Sequence, residues 1–274
     1  MWTAGGVRMI ERRKNDGNLN WLFIPGGPGL GSESLQELVD AVNVPGTSWL
    51  IDLPGDGSNL APPEAREDSF AAWPQVLLEA AQAVPDPVFV GHSTGGMYLL
   101  STPALERVLV GLDLVSSAPD ASWQPALAAM TKREPISAVA EAMTRYEAAP
   151  GNDTLRDLTV ASAPWNFAGD FIPAGTKVLA RMSYNNEAVV WSAQNFDGTY
   201  AAAWWPSQIP TLVVSGGDDR IVDQSLWDET RFNGQNVLHR SIEGGQHFPW
   251  IERPEAVRSA FEDIAHAIDV FLSR

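Results

Sequence analysis

The string Gly91-His92-Ser93-Thr94-Gly95 sets a serine midway between two glycines, directly after the apolar run Val88–Val90. A serine hydroxyl becomes a nucleophile when a base takes its proton and a carboxylate orients that base. Four histidines could supply the base. His92 adjoins the serine and is expected to point away from it across the turn. His239 falls inside an apolar run, and His266 lies on the exposed flank of a C-terminal helical pattern. Only His247 occupies a loop, Gly244-Gly245-Gln246-His247-Phe248-Pro249, just after the last strand-like run. Such loops gather at the carboxyl edge of a parallel sheet, level with the serine turn. The carboxylate is less determined. Gly216-Gly217-Asp218-Asp219 follows the strand-like Thr211–Ser215, and Asp113 lies within an earlier run, so spacing leaves Asp113, Asp218 and Asp219 open. The order serine, aspartate, histidine along the chain fits acyl transfer on a strand–turn–helix scaffold.

The spacing around Ser93 has a steric reason. A sharp turn brings the positions two before and two after the serine together, so side chains at Gly91 and Gly95 would clash. The helix that starts after the serine leaves free backbone N–H groups facing any nearby anion. A second loop, Pro25-Gly26-Gly27-Pro28-Gly29, follows the apolar run Leu19–Ile24. Acyl transfer places negative charge on the former carbonyl oxygen, and two preset N–H donors lower the barrier. The expected donors are the N–H groups of Gly27 and Thr94.

These loops need a scaffold. Val7–Arg13 alternates as a half-exposed strand does; Leu19–Ile24, Trp49–Leu53, Val88–Val90, Val108–Val115, Thr211–Ser215 and Val237–Ile242 read as further strands. Helices are expected after Ser32, from Ser69 to about Ala83, from Thr94 to Leu100 and over Ser225–Phe232. Pro254–Leu272 carries Val257, Phe261, Ile264, Ile268 and Leu272 on one stripe. The rhythm predicts an α/β fold, a mostly parallel central sheet flanked by helices. From about Ala118 to Pro206 it stops. That stretch reads as short helices, among them Pro135–Glu147 and Glu187–Gln194, and holds five of the eleven tryptophans. Residues 1–117 and 207–274 are therefore expected to form the core, and 118–206 an inserted helical cap over the carboxyl ends of the strands. Trp165, Tyr184, Trp191 and Phe248 are candidate substrate contacts for an apolar or aromatic group, with plain packing as the alternative for such rings.

Taken together, these residues resemble the α/β-hydrolase superfamily, and within it the proline iminopeptidase-like serine hydrolases, over nearly the whole chain. Ile24–Gly29 resembles the His-Gly-Gly-Pro-Gly loop, and Ile51–Ser58 the Asp-Leu-Pro-Gly-His-Gly-x-Ser stretch. Gly91–Gly96 looks like the nucleophile turn, and Gly245–Glu255 like the histidine motif. Gly216–Val222 is similar to Gly-x-x-Asp-x-x-Val, which implies Asp219 as the acid. Two departures stand out. Pro25 replaces the loop histidine, which removes no oxyanion donor. In Ala180-Arg181-Met182-Ser183-Tyr184, Ser183 stands where iminopeptidases carry a carboxylate for the substrate amine, with Glu187 nearby. The resemblance thus implies hydrolysis of an ester, amide or thioester through an acyl-enzyme. Alternatives are iminopeptidase activity, cleavage of a carbon–carbon bond beside a ketone, and a low-turnover ligand-binding homologue.

Composition narrows the partners. With 18 basic residues against 34 acidic ones the net charge is −16, which repels phosphate backbones and anionic membrane surfaces. There is no cysteine, which excludes disulfides, thiolate nucleophiles and cysteine-based metal sites. No apolar run approaches the ~18 residues of a membrane span, and the N-terminus lacks a secretory apolar stretch. The expectation is a cytoplasmic enzyme acting on a small-molecule substrate, with no cofactor or metal, no nucleic acid and no membrane.

Overall fold

The computed structural model describes residues 1–59 and 70–274. Seven strands form one sheet in the order β1-β3-β2-β4-β5-β6-β7. They are β1 (Arg8–Lys14), β2 (Asn20–Ile24), β3 (Thr47–Asp52), β4 (Pro87–His92), β5 (Gly111–Val115), β6 (Thr211–Gly216) and β7 (Val237–Ile242). Only β1 runs antiparallel, against β3; the other pairings are parallel. The central strands are apolar on both faces because both faces are covered. Along β2, Trp21 and Phe23 enter the layer beneath α1 (Gln36–Val42) and α11 (Pro254–Leu272). Leu22 and Ile24 enter the opposite layer with α2 (Trp73–Gln82) and α3 (Thr94–Leu100).

Between β5 and β6 the chain forms α4 (Trp123–Arg133), α5 (Ser137–Ala148), α6 (Asn152–Ala161), α7 (Ala163–Asn166), α8 (Ile172–Arg181) and α9 (Asn186–Asn195). This helical segment meets the loops at the carboxyl edge of the sheet. Gly31 N–H donates to the Ser183 carbonyl at 3.0 Å, and Asn185 N–H to the Gly29 carbonyl at 2.8 Å. The remaining helix, α10 (Pro249–Glu252), follows the His247 loop. No helix among the described residues is long and apolar enough to cross a membrane.

Several local expectations are corrected. Ser32 does not cap a helix through its hydroxyl; it opens a tight turn, and its N–H donates to Asp52 Oδ1 at 2.8 Å. Ser69 lies outside the described residues, and α2 begins at Trp73. The strand expected from Val108 starts only at Gly111. Ser225–Phe232 is not a helix but two tight turns, Gln224–Trp227 and Thr230–Phe232. In a continuous helix, residues five apart face different directions. The break lets both Trp227 and Phe232 bury against Trp205. Leu272 is 47% exposed, so the buried stripe of α11 ends at Ile268.

Candidate active site

Ser93 sits between β4 and α3 with φ 51° and ψ −123°. That left-handed conformation strains a residue with a Cβ and persists only where the surroundings enforce it. Here Ser93 N–H donates to the Val115 carbonyl at 2.9 Å, while its own carbonyl accepts from Gly96 N–H at 3.0 Å and the Ser117 hydroxyl at 2.8 Å. The two glycines are sterically required, with one refinement. A Cβ at Gly91 would fall 2.6 Å from Gly96, not Gly95, and one at Gly95 would fall 2.6 Å from the Pro25 carbonyl. The serine turn is thereby seated on the Gly26–Gly29 loop. The Thr94 hydroxyl donates to the Gly27 carbonyl at 3.0 Å. Neither the Gly27 nor the Thr94 N–H meets an acceptor among the described residues.

Of the three candidate acids, the structure brings one to the histidine. His247 Nδ1 lies 3.0 Å from Asp219 Oδ2 and 3.2 Å from Oδ1, and both side chains are almost fully buried. Asp219 also accepts from the N–H groups of Ile221 and Val222 at 2.9 and 3.1 Å, and from Gln224 Nε2 at 3.2 Å. Asp218 is exposed, but its N–H donates to the Gly245 carbonyl at 3.0 Å and so joins the two loops. A Cβ at Gly216 would collide with the Gln246 carbonyl at 2.2 Å, so this approach requires glycine.

His92 has a partner that the sequence reading did not name. It lies beside His247, with ring centroids 4.9 Å apart, and its Nε2 is 3.1 Å from the His247 carbonyl oxygen. A carbonyl only accepts, so Nε2 carries the hydrogen. Burial, aided by the neighbouring His247, holds the His92 ring well below the usual histidine range, so it is neutral. No hydrogen bond joins the Ser93 hydroxyl to the His247 ring among the described residues; His92, next to Ser93 in the chain, bonds the His247 backbone carbonyl. Catalytic hydrogen bonds are often long before substrate binds.

The candidate substrate contacts have separate surroundings. Phe248 stacks on Phe167 at 4.9 Å and approaches His92 and His247. Trp165 Nε1 donates to the Glu134 carbonyl, and the Tyr184 hydroxyl to the Leu179 carbonyl. Trp191 lines an apolar cavity of about 80 Å³ with Phe70, Trp73, Tyr98 and Phe196. No hydrogen bond or ring contact joins Trp165, Tyr184 or Trp191 to Ser93, Asp219 or His247 among the described residues. Glu187 is exposed in the first turn of α9. Residues not anticipated from sequence are His92, Glu252 and Arg220. Arg220 pairs with Glu134 and donates to the Pro164 carbonyl at 3.3 Å, tying the Asp219 loop to the helical segment. A histidine adjoining the serine was the one available signal.

A family model described as "Alpha/beta hydrolase family" matches residues 21–260. A pimeloyl-[acyl-carrier protein] methyl ester esterase of Xanthomonas oryzae pv. oryzae is 25% identical over 219 residues, covering 78% of this chain and 82% of that protein. A thermophilic esterase from Thermogutta terrifontis superposes with a TM-score of 0.69 at 19% identity, over 96% of this chain and 93% of that one. The proline iminopeptidase of Mycobacterium smegmatis superposes with a TM-score of 0.63 at 18% identity, over 97% and 96%. The two superpositions speak to the fold, and with the family match over most of its length the chain belongs to the alpha/beta hydrolase family.

Proposed function

We propose that this hydrolase is a serine esterase acting on a small ester with an apolar arm. The observation that carries the reading is the Asp219–His247 bond at 3.0 Å, on loops pinned beside the Ser93 turn. Ser93 Oγ attacks the ester carbonyl carbon while His247 Nε2 takes its proton. Asp219 accepts from Nδ1–H, fixes the tautomer and stabilises the imidazolium. The N–H groups of Gly27 and Thr94 hold the oxyanion. Collapse expels the alcohol, which takes the proton from Nε2 and leaves an acyl-serine. Water, deprotonated by His247, then releases the acid and returns the proton to Ser93. Residues 118–206 act as the cap over this site. The apolar cavity that Trp191 lines would suit a small alkyl or aryl arm, and the buried Phe248 packs edge-on against His247.

An ester is favoured over a peptide with a free amine. Ser183 offers no carboxylate, its carbonyl is engaged by Gly31, and the exposed Glu187 gives no buried counter-charge. The esterase relative adds support. A fluorophosphonate should add covalently to the wild type and not to Ser93→Ala, read by intact mass. A panel of p-nitrophenyl esters and prolyl or alanyl arylamides should show turnover of the esters. An unlabelled wild type, or efficient arylamide cleavage, would sink the reading.

A further inference from the structure

One buried carboxylate behind the site takes no part in the reaction above. Glu252 closes α10 and is 4% exposed. Its Oε1 accepts from Ala168 N–H at 2.6 Å, and its Oε2 accepts from the N–H of Gln246, the residue before His247. Ala168 belongs to the helical segment, in the link between α7 and α8. A single side chain thus spans the histidine loop and the segment above it. Arg253 and Asp218 are the charged groups facing it. Burial pushes its carboxyl up from the usual range, and the two N–H donors and Arg253 act against that rise. A second tie, His92 Nε2–H on the His247 carbonyl, holds the same stretch from the Ser93 side.

We infer that Glu252 is a positioning residue that fixes the backbone of His247 and makes its placement depend on the seating of the segment carrying Ala168. This role rests on the reading of His247 as the base. While Ala168 is seated, both carboxylate oxygens are satisfied and Gln246 is held at a fixed height, with the imidazole following its backbone. When the segment lifts, the buried carboxylate keeps one donor, and a half-satisfied group repositions toward water or another donor. Substrate that draws the segment down therefore sharpens the alignment of His247 with Ser93.

Two variants test this from opposite ends of the bond. Ala168 has φ −69°, and Phe167 before it has φ −135° and ψ 144°. Proline and its preceding residue both adopt those angles, so Ala168→Pro keeps the backbone path, deletes the N–H and puts the ring Cδ where that hydrogen met Glu252, which breaks this contact. Glu252→Gln keeps the volume and removes one acceptor oxygen. Each should slow fluorophosphonate capture by Ser93, and lower kcat for p-nitrophenyl butyrate, by about tenfold, the loss expected for one charge-assisted hydrogen bond. KM should stay within about twofold in both, as for a change outside ground-state binding. Each should also move the downfield Nδ1 proton resonance of His247 and the pH midpoint of kcat/KM. Wild-type labelling rates with an unmoved resonance in both variants would overturn the role, even if the Tm falls. An effect of Glu252→Gln without one of Ala168→Pro would overturn the dependence on the segment. Failure of the wild type itself to label would strike the reading of Ser93 and His247, and this role with it.

Discussion

Two aspartates, one within a strand and one in the loop after the neighbouring strand, meet opposite conditions. Asp219, just beyond β6, is buried and accepts from Ile221, Val222, Gln224 and His247. Asp113, midway along β5, is equally buried, yet neither of its oxygens has a partner among the described residues. Its neighbours across the sheet are Val90 and Leu212. Burial, with no partner for either oxygen, pushes the Asp113 carboxyl well above the usual range and favours its neutral form. The difference is one of position along a strand. Mid-strand, the ladder already engages the backbone N–H groups; past the strand end, a turning loop frees several to converge on one carboxylate. Here the carboxylate past a strand end finds four partners, and the one in mid-strand finds none among the described residues.

The largest break in that comparison is expected from removing the partnered carboxylate. Asp219→Asn should cut kcat for a p-nitrophenyl ester by about 10³–10⁴-fold through loss of the imidazole tautomer, whereas Asp218→Asn should stay within about threefold, as expected for an exposed side chain. Comparable losses would erase the distinction. Asp113→Val should act on stability instead. The folded protein keeps the Asp113 proton, while the unfolded chain releases it above about pH 4, so this group's contribution is full below that pH and is lost as pH rises. The variant should gain at least about 1–3 kcal/mol at pH 7.5 by removing an unsatisfied buried group, and gain less at pH 4.5. Urea unfolding at the two pH values checks this; an equal gain at both would show that titration is not the cause. A smaller effect is expected at Asp56, whose carboxyl is pushed up to about 8 by burial and by the Asp52 charge. Asp56→Asn should flatten the decline of stability between about pH 4 and pH 8, and an unchanged slope would argue against a buried acid there.

Much of the fold was legible because burial on both sheet faces writes continuous apolar runs such as Trp21–Ile24 and Leu212–Val214 into the chain. The serine turn was legible because Gly91 packs on Gly96 and Gly95 on the Pro25 carbonyl too closely for any side chain. Other features left no local trace. Ser225–Phe232 has a helix-like composition, yet Trp227 and Phe232 both pack on Trp205, a demand set elsewhere in the chain. His92 read as a bystander because its partner lies 155 residues away.

The succession of strands along the chain, the tight loops and the residue types able to move a proton were set by the amino-acid sequence alone, since propensity, periodicity and steric necessity act over a few residues. Spacing left the aspartate open and only the Gly216–Val222 motif pointed to Asp219; its meeting with His247 was made by tertiary structure. Asp113, Asp218 and Asp219 are chemically identical, and they differ only in the donors, charges and solvent that the folded chain gathers around each.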